Sequence, residues 1–192
     1  MKSTLYLKFI IIYIIFGFLS LFTVATLTSG LVNAPLTKGI SSAIYKDANM
    51  VATNYLPEYF SGQTSLNNVH MQLSGMEQHL NAAIWFVDSD GTMITSAQSD
   101  DFPSAPYNVV DFNPAESGNE QYQIGDYHGY FNEDVITVIA PVIYDYSPKG
   151  YLLIHKSTDD IYELHDILMH SAYITLGVIF TLSFVILLAF QF

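Results

Sequence analysis

Two stretches without a charged residue, 9–37 and 171–192, enclose a middle that carries all 18 acidic residues of the chain. Soluble domains intersperse charge along their length. Confining it to one central block is the layout of a chain that crosses a membrane. From residue 9 the sequence runs FIIIYIIFGFLSLFTVATLTSGL, and from 171 it runs SAYITLGVIFTLSFVILLAF. About 20 apolar residues at about 1.5 Å rise cross a bilayer core, which predicts transmembrane helices over 9–31 and 171–190. Lys2 and Lys8 precede the first of these and place residues 1–8 in the cytoplasm by the positive-inside rule. Residues 32–170 are then extracellular, and 191–192 begin a second cytoplasmic part. A cleaved signal peptide is the alternative for the first segment. Its apolar region is usually about 7–15 residues long, and the one small-residue cleavage site here, VNA at 32–34, is followed by Pro35. With no basic residue after the second span, the sequence reads as part of a longer protein whose next residues are basic. A complete two-span protein is the alternative.

Only 12% of the residues are charged, about half the usual share, and all six basic ones are lysines. The external stretch sets 18 acids against Lys38, Lys46, Lys149 and Lys156, a net charge near −14. That surface excludes nucleic-acid binding, which needs a basic footprint against phosphates. The aromatic and aliphatic content excludes intrinsic disorder. There are no cysteines, so a domain of about 140 residues, ordinary in size, must be held by its core alone.

Periodicity divides that domain. Leu36, Ile40, Ile44, Val51 and Tyr55 fall on one helical stripe, predicting a helix over 36–56 that continues the first span and ends near Pro57. After the loop FSGQT, residues Leu66, Val69, Leu73, Met76 and Leu80 repeat at helical spacing and predict a second helix over 65–81. Its apolar face is read as core, with a dimer seam as the alternative. The pattern then changes to strands over 84–156. The runs IWFV and TMIT flank Asp88-Ser89-Asp90-Gly91, a strong hairpin signal. Residues 97–120 form a long polar loop with a helical turn near 107–112, followed by strands over 121–131 and 135–144. Asp145-Tyr146-Ser147-Pro148-Lys149-Gly150 is a turn, and a final strand covers 151–156. An exit helix starts at 158, where Ser157 can cap and Asp160 favours the dipole. Ile161, Leu164 and Leu168 carry the helical spacing into the second span without a breaker. One helix of about 33 residues, roughly 50 Å long, thus joins the last strand to the cytoplasm.

No catalytic constellation is present: no cysteine nucleophile, His-Glu-x-x-His, GxSxG or phosphate loop occurs. Asp126, His128, Glu133 and Asp134 offer mixed nitrogen and oxygen ligands of a kind zinc or manganese accepts. Their spacing is unspecific, and solvated loop residues are the preferred reading. Asp88 and Asp90 open like a calcium loop, but Gly91 comes too early for an EF-hand. His155, His165 and His170 lie along the exit path as candidates for a pH switch, with ordinary packing preferred.

The order of a long helix from the membrane, a second helix, a five-stranded antiparallel sheet and a return helix is recognisable. WFVDSDG (85–91), FNEDVITVIAPV (131–142) and GYLLIHKSTDDI (150–161) carry it. The chain resembles the extracellular PAS-like, or single-Cache, sensor domain of bacterial sensor histidine kinases, both spans included. The resemblance implies an α+β membrane protein in which two transmembrane helices flank an extracellular PAS-like domain. It implies a homodimer in the bacterial cell membrane, in contact with lipids, that reaches a response regulator through a cytoplasmic kinase outside this chain. ATP and magnesium would belong to that kinase, and this chain holds no cofactor. A chemoreceptor or a cyclic-dinucleotide enzyme with the same input domain is the alternative within signalling. A two-span binding or assembly protein is the alternative outside it.

A ligand pocket in such a domain is expected between the sheet and the 97–120 loop, with Tyr107, Tyr122, His128 and Tyr130 as its polar aromatics. Bidentate carboxylate recognition favours arginine, and none is present. An anionic ligand is therefore disfavoured. A cationic, neutral or amphipathic stimulus fits better, as do divalent cations bridging the acidic surface to anionic lipids.

Overall fold

The structure, a computed structural model, describes residues 2–115 and 122–189, leaving out the side chains of 2–7, 25 and 27–33. The chain divides into two compact units, one formed by its two ends and the other by Lys38–Asp159.

In the terminal unit, helix α1 (Lys2–Asn54) and helix α4 (Asp159–Ala189) each run without a break. α1 passes through Pro35, where the missing N–H removes one helix hydrogen bond. The two helices meet at Tyr13, whose hydroxyl donates to the Phe180 carbonyl at 2.6 Å. The Tyr13 ring also stacks on Phe180 and Phe184, with centroids 4.7 and 5.8 Å away. Gly17 lies directly under the Phe180 ring, the small residue that lets two apolar helices approach. Among the described residues one helix, α4, is long and apolar enough to cross a membrane, and its Ile174, Val178, Leu182 and Ile186 are exposed. The apolar run of α1 covers Lys8–Val24 and falls short of the span predicted over 9–31. Part of that prediction lies on the undescribed side chains at 25 and 27–33.

The Lys38–Asp159 unit is built on a five-stranded antiparallel sheet of order β2-β1-β5-β4-β3. Its strands are β1 (Ala83–Asp88), β2 (Met93–Ala97), β3 (Tyr122–Gly125), β4 (Val135–Tyr144) and β5 (Ser147–Ser157). The C-terminal part of α1, the single turn α2 (Pro57–Phe60) and α3 (Leu66–Leu80) supply the helices. Ser65 opens α3 by accepting from the Asn68 N–H at 3.3 Å, and Asn81 closes it in the left-handed conformation. Lys156 reaches across from β5 and donates to the Leu80 carbonyl at 2.8 Å, filling an acceptor that a helix end leaves open.

Strand and turn bounds follow local chemistry. Between β1 and β2 the Asp88 carboxylate accepts from the N–H groups of Asp90 and Thr92, both at 2.9 Å, and Gly91 takes a φ of 83°. The predicted turn over 145–150 shrinks to Asp145 and Tyr146, both left-handed, the two-residue geometry that suits strand twist. Pro148 and Gly150 join β5 instead. Ile143 pairs with Pro148 and Val142 with Gly150, so Lys149 is a bulge residue. Gly150 is required where β5 meets β1, because a Cβ there would lie 2.5 Å from the Val87 carbonyl oxygen. Gly150→Ala is expected to lower stability by about 2 kcal/mol, read from chemical denaturation followed by the fluorescence of the chain's one tryptophan.

The core differs from the predicted stripes in instructive ways. On α1, Ile44, Ala48, Val51 and Ala52 are buried, whereas Leu36 and Ile40, and Tyr55 just after the helix, are half-buried. On α3 only Val69 and Leu73 reach the interior; Leu66 is exposed, and Met76 and Leu80 are half-buried. The strand predicted over 121–131 ends at Gly125, because Tyr127, His128 and Gly129 all take positive φ and turn the chain out of the sheet. Residue 121 and the end of the predicted 97–120 loop, 116–120, lie outside the described residues. The helical turn predicted near 107–112 is a β-bridge from Thr92 to Asn108 instead.

Candidate functional site

Both faces of β1 and β5 are covered, and they differ in what covers them. Alternation along a strand sends Ile84, Phe86, Leu152 and Ile154 to one face. It sends Ala83, Trp85, Val87, Leu153 and His155 to the other, where Trp85 pairs with Leu153 and Ala83 with His155. The second face packs against the connections on either side of β3, with Val109, Tyr127 and Phe131 buried and Phe102, Phe112 and Tyr130 partly so.

His155 sits at the centre of this face, fully buried. Its ring centroid lies 4.3 Å from Trp85, 4.6 Å from Tyr127 and 4.9 Å from Phe131. The one hydrogen bond on its ring joins Nδ1 to the Thr137 hydroxyl at 2.8 Å, from the neighbouring strand. Desolvation by burial pushes the imidazole down to about 3, so the ring is neutral at physiological pH. Its Nε2 and the Trp85 Nε1 are both enclosed and make no hydrogen bond among the described residues. An unpaired buried polar atom is costly, and these two belong to rings whose centroids lie 4.3 Å apart.

Beside this cage a pocket of about 160 Å³ opens between the end of β3 and the turn after it. Gln123, Asp126, Tyr127, His128 and Thr137 line it. Thr137 and Tyr127 therefore face the pocket while also touching His155. The turn itself is held at both ends. The Phe131 N–H bonds back to the Asp126 carbonyl at 3.1 Å. The Asp134 carbonyl accepts from both the N–H and the hydroxyl of Thr158, at 3.1 and 2.8 Å. Thr158 is the residue between β5 and α4, so the connection that lines the pocket at its beginning is bonded at its end to the residue before the exit helix.

The four predicted ligand residues separate. His128 lines the pocket. Tyr130 packs edge-on against Trp85 at 5.7 Å and ties two loops together, its hydroxyl accepting from the Val110 N–H at 3.0 Å and donating to the Asn108 carbonyl at 3.3 Å. Tyr107 is 84% exposed. Tyr122, next to Gln123 on β3, points to the helix-covered face by alternation. Asp126, His128, Glu133 and Asp134 share one connection, yet the described residues contain no group of three or more His, Cys, Asp or Glu able to hold a metal. On α4, Ile161 is buried while Leu164 and Leu168 are exposed. His165 lies 3.3 Å from Asp166, and His170 is exposed.

Sequence reasoning set His155 on the exit path as a candidate pH switch, whereas it lies fully buried on β5; Trp85, Tyr127, Phe131 and Thr137 are the site residues it passed over. The signal available was parity: Leu153 and His155 share a face of β5. It was masked because LLIH is buried on both faces.

No protein-family model matches the chain, and no curated protein sequence does. Solved structures do match. The extracellular domain of vpHK1S-Z8, assigned as a histidine kinase, superposes with a TM-score of 0.51 at 16% identity, over 77% of this chain and 59% of that one. The sensor domain of the V. cholerae histidine kinase DctB gives a TM-score of 0.47 at 15% identity, over 76% and 57%. The sensory domain of the Campylobacter jejuni chemoreceptor Tlp3, with isoleucine bound, gives 0.42 at 18% identity, over 85% and 65%. The chain spans less than two thirds of each of these structures. The α+β fold with its five-stranded antiparallel sheet is thus shared with the extracellular domain of vpHK1S-Z8, the kind of fold that the resemblance in the sequence implies.

Proposed function

We propose that the chain is the transmembrane signal-sensing module of a sensor histidine kinase. It passes an extracellular stimulus through α4 to a cytoplasmic kinase outside this chain. The reading rests on one observation above the others: the connection over 126–134, which lines the pocket at Asp126, Tyr127 and His128, is hydrogen-bonded at its other end, through Asp134, to Thr158, the last residue before the exit helix. A ligand held by Gln123, Asp126 and His128 in that pocket favours one arrangement of the 126–134 turn. It thereby shifts the population of two positions of α4. Ile161, Leu164 and Leu168 carry that shift towards the membrane. The N-terminus is cytoplasmic, the Lys38–Asp159 unit is extracellular, and the working unit is a homodimer facing a response regulator.

The stimulus is neutral or cationic. The pocket lining holds Asp126 and no lysine, His155 is neutral, and Lys156 is engaged at the end of α3. Divalent cations bridging the acidic surface to anionic lipids are the other candidate within this charge class.

The test is phosphorylation of the complete protein that carries this chain, reconstituted in vesicles with labelled ATP. Acid-labile phosphohistidine is expected. Leu164→Pro is expected to abolish its response to the stimulus while leaving basal labelling in place, and Thr158→Val to reduce the response. No labelling in the wild-type protein would remove the kinase reading and leave the chemoreceptor one. An unchanged response in Leu164→Pro would remove the route through α4.

A further inference from the structure

Within the terminal unit, α1 and α4 meet along one seam. Tyr13, Gly17 and Ser20 of α1 and Leu176, Phe180 and Phe184 of α4 are shielded, while the residues between them are exposed. At the centre of the seam an aromatic ring sits in a glycine notch. A Cβ on Gly17 would overlap three carbons of the Phe180 ring, so no larger residue admits that ring. Tyr13, one turn before Gly17, clamps the same residue. Its hydroxyl donates to the Phe180 carbonyl at 2.6 Å, and its ring stacks on that of Phe180 at 4.7 Å. Phe184, one turn after Phe180, also stacks on Tyr13, at 5.8 Å. The helix α1 thus offers one notch with one hydrogen-bonding ring beside it, and α4 carries the same side chain twice, at i and i+4. Beside the notch lies a cavity of about 170 Å³. Ser20 and Leu21, about one turn further along α1, line it together with Gly177, about one turn before Phe180. An apolar cavity of about 150 Å³ holds a benzene ring, and a Cβ on Gly177 would meet nothing within 4 Å. The space is that of one more aromatic ring.

We propose that this seam has two registers, one helical turn apart, with Tyr13 and Gly17 as the residues that position α4 in each. The first is the register just described. In the second, α4 is advanced along α1 towards Leu21. Phe184 then fills the Gly17 notch, its carbonyl accepts from Tyr13, and Phe180 occupies the cavity beside Ser20 and Leu21. Each contact given up is replaced by one of the same kind, the condition for two states close in free energy. Positions in between leave both rings against backbone with no notch to take them, so the change is a step of four residues, about 6 Å. The two registers supply the two positions of α4 that the signalling route proposed above needs, and they are tested without a kinase or a stimulus.

The chain has no cysteine, so pairs introduced into it report the register directly. Ser20→Cys with Gly177→Cys joins two residues that line one cavity in the first register. Ser20→Cys with Thr181→Cys joins residues that come level only after the step, because Thr181 follows Gly177 by one turn. The full chain in phosphatidylcholine vesicles is oxidised with copper phenanthroline, and crosslinks within one chain are separated from dimers by gel mobility. With no other change, the first pair is expected to crosslink faster and the second more slowly but measurably. Phe180→Ala empties the notch in the first register and leaves Phe184 to fill it. It is expected to invert that order, changing the ratio of the two rates at least about tenfold, the scale of a bias of about 1.4 kcal/mol. Phe184→Ala removes the ring that the second register needs, and is expected to abolish the second crosslink while keeping the first. It carries the test should Phe180→Ala insert poorly. The proposal fails if Phe180→Ala keeps the first pair the faster one or slows both alike, or if Phe184→Ala leaves the second crosslink unchanged. It fails equally if the crosslinked products are dimers, which would make the seam a contact between copies.

Discussion

Acidifying the full chain from about pH 7 to about pH 5 will destabilise the Lys38–Asp159 unit by about 2 kcal/mol through His155 alone. The imidazole is neutral in the fold because burial holds it down to about 3, against an ordinary value of 6.5. Between those two values the unfolded chain binds a proton that the folded chain refuses. Stability is therefore fully present above the unfolded value and falls as pH drops below 6.5. The loss continues to about pH 3, where the buried ring would protonate as well. The limiting slope is about 1.4 kcal/mol per pH unit, large against a total stability of about 5–15 kcal/mol. Urea unfolding followed by Trp85 fluorescence checks it, since that ring lies 4.3 Å from His155. Acidic residues add their own pH dependence, so the measured quantity is the difference between the wild-type chain and His155→Leu. An identical pH profile in both would mean that the ring titrates freely and is not enclosed as described.

Trp85→Ala will cost about 3–5 kcal/mol, the range for removing a large aromatic from a packed core. Trp85 is wholly buried. It is the ring on which Phe131 stacks at 5.6 Å and against which Tyr127 and Tyr130 set their edges at 6.0 and 5.7 Å. Its loss leaves a cavity between the sheet and both covering loops, so the turn over 126–134 is expected to loosen as well. Faster hydrogen exchange at the Tyr130 and Phe131 amides would report that loosening, and far-UV circular dichroism in urea would report the global loss. Trp85→Phe keeps most of the apolar area and removes the enclosed Nε1. It is expected to cost less than half as much, and its ratio to the alanine variant separates packing from the unpaired donor. A Trp85→Ala chain with wild-type stability would show that the cage is not a packed core.

Where bonding is local, the sequence was legible to within one or two residues. The α3 span follows from a capping Ser65, a 3-4 repeat and a left-handed Asn81. The β1–β2 hairpin follows from an aspartate that binds its own turn and a glycine that supplies positive φ. β4 was readable because a long apolar run stands between polar ends. The misplacements have one cause as well. Tyr127 and His128 look like strand continuation, since aromatic residues favour strands, yet three consecutive positive φ angles carry them out of the sheet. Pro148 and Gly150 look like turn residues, yet a bulge at Lys149 takes both into β5.

The segregation of charge, the apolar length of α4 and the order of helices and strands were determined by the amino-acid sequence alone, because hydrophobic period and backbone sterics act over a few residues. The site was decided by tertiary structure. His155 reaches Thr137 only through the β4–β5 register, Trp85 only through β1–β5, and the 126–134 turn closes over them through a bond to Thr158. Each of those contacts joins residues at least 18 positions apart. With both faces of β1 and β5 buried, no alternation of polar and apolar residues announced which side would hold the imidazole. That choice was made by packing.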